Sequence, residues 1–307
     1  MPLLPALNEL PLLIELKVAW RRLVDPRSVL ITLDNTGLVC CWAQGDRWKQ
    51  RVVNWPNGVC RDGMPLQRDA VGELIADLIL DCDCPGAELV LCLPMEAASW
   101  CVVDGCGTDG SPGLLSQVLQ AVELPFDLAE SYVTSSPVQD ALAVVGVSRS
   151  LIEAWSEVVQ LADLPLRRVD WSLTAAQRTL QQLTLAWDGD LAWFVVENNS
   201  FRLVLFRQRV PEVDHVFNKG ERSACQREIR ALVSAWRARD PSSSELGWWL
   251  SVKSEHFDDW LILVDGSSGE LCLNEPLPSF AEPWDQGDVG LSPLQHLALL
   301  TLQKEER

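Results

Sequence analysis

The sequence predicts an α/β protein of two lobes, the first carrying a small α/β insertion. Three observations lead there. At 307 residues the chain exceeds what one hydrophobic core usually serves, and 48% apolar against 22% charged residues is enough to bury two. Apolar runs of strand length alternate with amphipathic stripes of helix length. One figure also occurs twice: "LITLDNTGLVCCW" (30–42) is an apolar run ending in an acid, a polar turn and a second apolar run, and "LAWFVVENNSFRLVLFRQRV" (191–210) repeats it. The expected units are an extension over 1–26, a first lobe over 27–186 and a shorter second lobe over 187–307.

Taken in order, the extension holds an amphipathic helix from Leu10 to Leu23, closed by Asp25-Pro26. Strands follow at 29–34, 38–43 and 50–54, with "WPNG" (55–58) as a turn. In "RDAVGELIADLILD" (68–81), Val71, Leu74, Ile75, Leu78 and Ile79 fall on one helical face. "AELVLCLP" (87–94) is a buried strand stopped by Pro94, and "SWCVVD" (99–104) is another. "GCGTDGSPG" (105–113) reads as a connector and "LLSQVLQAVEL" (114–124) as a short helix. "ALAVVGV" (141–147) lacks polar alternation, so it reads as a fully buried strand. A helix follows with Ser148 or Ser150 as N-cap and a stripe of Ile152, Trp155, Val159 and Ala162. "LRRVDW" is a strand and 172–185 a helix.

"WDGD" (187–190) is a turn that opens the second half. After its hairpin comes a helix at 222–239 with Ile229, Leu232, Val233 and Trp236 on one face. "LGWWLSV" is a strand, "WLILVDGSSGELCLN" (260–274) reads as strand, turn and strand, and 292–303 is a closing helix. Each half thus begins with a hairpin whose turn carries an acid, Asp34 or Glu197, at the end of its first strand.

Composition excludes several functions. A formal charge of −18 repels condensed phosphate, which argues against nucleic acid and anionic membrane as general partners. Ten cysteines would suit a disulfide framework, yet Cys40, Cys41, Cys92, Cys101 and Cys272 sit inside apolar strand-like runs, where Cys acts as a small hydrophobe. A reducing cytoplasm is the expected compartment. Cys82-Asp83-Cys84 and Cys106 lack the second ligand pair that structural zinc uses. His215, His256 and His296 are scattered. There is no Gly-x-Ser-x-Gly elbow, Walker A loop or Gly-x-Gly-x-x-Gly helix start, and "DNTG" is not an aspartic-protease Asp-Thr-Gly. Among the 14 tryptophans, most read as core, with Trp248 and Trp284 as candidate exposed partner anchors.

The doubled hairpin resembles the actin-like ATPase fold, in which two α/β lobes aim hairpin turns at phosphates in a shared cleft. Longer phrases narrow the likeness. "GVCRDGMPLQRDAVGELIADLIL" (58–80) with "AELVLCLPMEAASWCVV" (87–103), and above all "LAVVGVSRSLIEAWSEVVQLADLPLRRVDWSLTAAQRTL" (142–180), resemble the type IV pilus assembly protein PilM family. The likeness runs from about residue 28 to 210 and continues more loosely to the end. It implies an FtsA-like fold whose first lobe carries an inserted subdomain, here about 95–148. It further implies a cytoplasmic scaffold of pilus biogenesis, hence of twitching motility and competence, held at the inner face of the inner membrane by its partner. That partner would be a PilN-like bitopic protein, whose cytoplasmic N-terminal tail lies in a groove between insertion and first lobe, with other alignment-complex proteins alongside. The extension's "LNELPLL" (7–13) loosely resembles the Asn-Leu-Leu-Pro type motif of such tails.

The resemblance also implies ATP, with Mg²⁺, in the interlobe cleft. Carried over, the first phosphate turn is Asp34, Asn35, Thr36 and Gly37. The family's Gly-Ile-Asp-Ile-Gly-Ser-Ser would put Gly at Thr36, and Gly37 comes one residue late. The second turn, an Asp-Ile-Gly in the family, is Glu197, Asn198 and Asn199, followed by Ser200. The third, a Gly-Gly against adenosine, is Val252-Lys253-Ser254-Glu255. Glycine lets backbone approach a phosphate without a Cβ in the way, so these departures lead us to expect a degenerate site, no catalytic residues and no resident cofactor. The alternatives are an active ATPase, with Asp34, Glu197 and Asp170 holding Mg²⁺ and water, whose nucleotide state gates partner binding, and a type II secretion or division-type membrane adaptor.

Overall fold

The computed structural model of the chain describes residues 27–44, 47–61, 63–104, 123–138, 141–197, 200–217, 221–239, 245–264, 270–277, 282–283 and 291–306. The expected N-terminal helix, the connector, most of the helix at 114–124, the Asp265-Gly266 turn, Asn198, Asn199, Cys106 and Trp284 lie outside the described residues.

Strands β1 (Ser28–Leu33), β2 (Gly37–Gln44) and β3 (Arg47–Asn54) form an antiparallel meander. A two-residue ladder, β4 (Cys60–Arg61) with β5 (Met64–Pro65), leads into helix α1 (Arg68–Asp81), which takes the bounds its apolar stripe predicts. Strand β6 (Glu88–Leu93) then pairs parallel with β1. It is buried on both faces, as its unbroken apolar run requires. Three strands leave this sheet: β7 (Ala98–Asp104), β8 (Ser131–Val138) and β9 (Ala141–Ser148) form a separate antiparallel sheet ordered β7-β9-β8. The chain returns through helix α2 (Arg149–Leu161), with Ser148 in the N-cap position, to β10 (Leu166–Trp171), parallel to β6, and helix α3 (Ser172–Leu183).

The second half repeats the plan. Strands β11 (Asp190–Glu197), β12 (Ser200–Arg207) and β13 (Val210–Phe217) are a meander, followed by helix α4 (Arg222–Arg237). Strand β14 (Leu246–Ser251) is parallel to β11. The short helix α5 (Phe257–Leu261) precedes β15 (Glu270–Cys272), which is parallel to β14. After β16 (Glu282–Pro283), which adds to β3, helix α6 (Pro293–Glu305) closes the described chain. The first sheet runs β16-β3-β2-β1-β6-β10 and the second β13-β12-β11-β14-β15, so that, β16 apart, one five-strand topology is used twice.

Helices α3 and α6 pack together between the two sheets. One core joins them to both, with Trp193, Val204, Phe206 and Trp249 of the second sheet in the same cluster as Ile31, Leu91 and Leu180. Small residues allow the helices to approach. The Thr179 and Thr301 hydroxyls lie 2.6 Å apart, and each donates to the opposite helix, Thr179 to Leu297 O and Thr301 to Ala175 O. Helices α4 and α5 cover the outer face of the second sheet through Ile229, Val233, Trp236 and Trp260.

The structure corrects four expectations. Residues 257–261 are helix α5, and Ile262 beyond it is exposed, so "WLILV" is not a strand. A parallel strand such as β15 needs a crossover from β14, and this segment supplies it. Trp248 is buried under α4, its indole donating to Glu270 (2.9 Å), and is no surface anchor. Cys272 is exposed at the sheet edge and Cys101 half-buried, whereas Cys40, Cys41 and Cys92 are fully buried. Strand β9 is buried on only part of its length, because one of its faces borders a groove.

Candidate functional site

The first phosphate-type turn closes on itself. Asp34 Oδ1 accepts from Thr36 N (2.6 Å), Thr36 Oγ1 (2.7 Å) and Gly37 N (2.7 Å). The backbone N–H groups that would cradle an anion therefore point at the turn's own carboxylate. The Trp55 indole donates to Asp34 O (3.0 Å), and Gln295 of α6 reaches Asp34 Oδ2 at 3.4 Å. Asn35 Oδ1 is buried without a hydrogen-bond partner among the described residues. Gly37 serves the neighbouring strand: a Cβ there would lie 2.3 Å from Val53 O on β3. The cavity bordered by this turn, Lys253 and Ser292 holds about 90 Å³, against several hundred for a pocket that encloses a small-molecule ligand.

Glu197 ends β11, 6% exposed, with Oε1 unpartnered among the described residues. Burial pushes its carboxyl up to about 8, aided by Asp34 and Glu96 and opposed by a hydrogen bond from Ser292 and by Lys253. Ser200 Oγ donates to Glu96 Oε1 at 2.8 Å. The structure thus brings Asp34, Glu197 and Ser200 to one cleft and adds Glu96, Lys253, Ser292 and Gln295. Of the additions, Ser292-Pro293-Leu294-Gln295 carries a readable signal: it is a capping box with Pro at N1, and it forms. A larger cleft of about 670 Å³ opens at the carboxyl end of β14. There Ser254–His256 make a 3₁₀ turn into α5, and the Asn274 amide bridges Leu250 N (2.8 Å) and O (3.0 Å).

Asp170 is placed elsewhere. Its Oδ2 pairs with Arg178 Nη2 at 2.6 Å, its Oδ1 accepts from Trp171 N at 2.8 Å, and Arg178 also meets Glu305 at 3.2 Å. Among the described residues no three His, Cys, Asp or Glu side chains are grouped so as to hold a metal ion.

Asp170 instead borders a groove of about 480 Å³ between the three-stranded sheet and the first lobe. Its floor is apolar: Ala143, Val145 and Val147 are alternate residues of β9, so one face of that strand lines it, with Ile152 of α2 beside them. Its walls differ. Consecutive residues 132–136 of β8 and 169–171 of β10 reach it, and consecutive residues meet one space only where a strand's edge borders it. Strands β8 and β10 are both terminal in their sheets. Two edges without a ladder partner among the described residues thus flank an apolar floor.

Twin sheets of one topology, sandwiching a helix pair and bringing Asp34 and Glu197, the acids at the ends of their first strands, to a shared cleft, define the actin-like ATPase fold. Two solved structures agree, the first two of the three that follow. A chain of a PilM–PilN type IV pilus biogenesis complex overlaps with a TM-score of 0.65 at 14% identity, covering 91% of this chain and 98% of that one. A Bacteroides thetaiotaomicron protein described as having an actin-like ATPase fold and unknown function overlaps at 0.54 and 6% identity, covering 91% and 95%. The cytoplasmic domain of EpsL, an inner membrane component of the type II secretion system of Vibrio cholerae, overlaps at 0.48 and 13% identity, covering 91% and 95%. No protein-family model and no curated protein sequence matches the chain. No helix among the described residues is long and apolar enough to cross a membrane.

Proposed function

We propose that this protein is a cytoplasmic scaffold of the PilM kind, in which the groove between subdomain and first lobe clasps the extended cytoplasmic tail of a PilN-like bitopic inner-membrane protein. Pilus biogenesis is the process it serves. No chemistry is required of it. The observation that carries the reading is the groove's construction. The edges of β8 and β10, unpaired among the described residues, offer main-chain donors and acceptors to an extended peptide, and Val145, Val147 and Ile152 offer apolar contact to alternate side chains, which is how strand addition works. The likeness to a chain solved in a PilM–PilN complex supports the same partner class.

The nucleotide site is degenerate in this reading. A phosphate at the first turn would have to displace the Asp34 carboxylate from three donors and enter a space of about 90 Å³ that the same carboxylate lines. ATP with Mg²⁺ is then expected to leave the thermal midpoint unchanged at millimolar concentration, since a ligand that binds only the folded state must raise it.

The test is titration of the purified protein with a synthetic PilN-type tail peptide, by calorimetry, with and without ATP and Mg²⁺. Binding should be independent of nucleotide. It should fall at least tenfold in Val145→Asp, whose carboxylate stands on the groove floor; exposure of Val145 to the groove makes folding of that variant expected. Equal binding by Val145→Asp, or binding only with ATP, would sink the proposal.

A further inference from the structure

Among the described residues the three-stranded sheet has a second free edge, and it too faces a lobe. Strand β7 is terminal in the order β7-β9-β8, and β13 is terminal in the second lobe's sheet. A cleft of about 700 Å³ lies between them. Consecutive residues Trp100 to Val102 of β7 border it on one side and consecutive residues Val210 to Asp214 of β13 on the other, so both strands present edges rather than faces. Among the described residues neither edge carries a ladder partner. This cleft repeats the construction of the tail groove on the opposite side of the subdomain.

Its charge selects an occupant. The two acids that border it are already neutralised: Asp214 by Arg202 (2.7 Å from Nε), Glu212 by Arg207 (3.3 Å). Arg239 also borders the cleft and has no carboxylate partner among the described residues. A chain whose formal charge is −18 therefore presents local positive charge here, next to unpaired backbone and the apolar side chains of Val102, Val138 and Val213. We propose that the cleft between β7 and β13 is a second docking site, which takes an extended, acidic partner peptide as an added strand bridging the subdomain and the second lobe. Main-chain hydrogen bonds to both edges hold it, and a carboxylate facing Arg239 sets its register.

The probe is a fluorescent nonapeptide of alternating Val and Glu, read by anisotropy and by amide exchange of the full chain. The proposal expects binding that slows exchange at residues 100–102 and 210–214. That binding should survive Val145→Asp, which lesions only the other groove, and weaken at least fivefold in Arg239→Glu, an exposed position beyond the end of α4. A peptide N-methylated at alternate residues should bind at least tenfold more weakly. Four results would overturn it: protection confined to residues 132–136 and 169–171, edge amides that exchange slowly before any peptide is added, equal binding of a Val/Lys peptide, or no binding at millimolar peptide. Slow edges in the free protein would mean that another part of this chain, or a second copy, covers them; sedimentation would tell which.

Discussion

Glu197 keeps its carboxyl inside the interlobe cleft, 6% exposed, facing Asp34, Glu96, Lys253 and the Ser292 hydroxyl. Burial raises it from 4.5 to about 8, so the folded protein holds the proton where the unfolded chain has lost it. Stability from this group is fully present below pH 4.5 and is lost as pH rises through about 8, because over that window the unfolded state binds fewer protons. At 1.36 kcal/mol per unit the loss is on the order of 5 kcal/mol. Glu197→Gln keeps the shape and removes the titration. Urea midpoints at pH 5 and pH 8.5 should converge in the variant and diverge in the parent; equal slopes would place the pH sensitivity elsewhere. Gly37 makes a related point at the neighbouring turn. It resembles a displaced phosphate-loop glycine in sequence, yet what it accommodates is the carbonyl of Val53.

At the scale of elements, the pair α3 and α6 is held by a hydroxyl clasp in which Thr179 and Thr301, both buried, donate to each other's helices. Thr301→Val is isosteric but leaves Ala175 O and the Thr179 hydroxyl short of a partner, which costs about 1–3 kcal/mol. The double variant with Thr179→Val should lose less than the sum of the singles, since both halves of the clasp disappear together. Strict additivity in a denaturant double-mutant cycle would show the two hydroxyls to be independent. Such contacts between residues 122 positions apart also mark where sequence reading stops. Helix α1 and the hairpins were legible because one face of each is buried and the apolar spacing records it. Strands β8 and β13 were not: they are edges, and "SYVTSSPV" and "VPEVDHVF" alternate with hydroxyls and charges in a way that resembles loop. The run "WLILV" is too short for periodicity to tell helix from strand. In the cleft, the twin acids Asp34 and Glu197 were visible from the repeated hairpin. The closing role of Gln295 was not, since it depends on where α6 lands. Asp170 sits at a strand end, as a site residue should, but its neighbour Arg178 draws it into an ion pair at the groove wall instead.

At the scale of the molecule, a chain of side-chain contacts links the two grooves. Trp171, on the wall of the groove between β8 and β10, donates its indole to Pro94 O (3.1 Å) and Met95 O (3.0 Å) and stands edge-on to Trp100 at 6.4 Å. Trp100 in turn donates to Asp214 of the second lobe. Arg202, 5% exposed, completes the junction: it pairs with Asp214, donates to Met95 O (3.2 Å) and lies over the Trp171 ring at 5.2 Å. One buried guanidinium therefore ties the second lobe to Met95, just before β7, and to the Trp171 wall of the groove between β8 and β10. Removing one partner of a buried pair costs about 3–5 kcal/mol because the other charge is left uncompensated. Arg202→Met should lower stability on that order, and Asp214→Asn added to it should restore part of the loss. The sharper outcome concerns binding. Arg202 lines neither wall of the tail groove, yet Arg202→Met, assayed well below its unfolding midpoint, should weaken a PilN-type tail peptide severalfold by freeing Trp171. An unchanged affinity in a folded Arg202→Met protein would mean that the subdomain and first lobe hold the tail without help from the second lobe, and that the junction is structural alone.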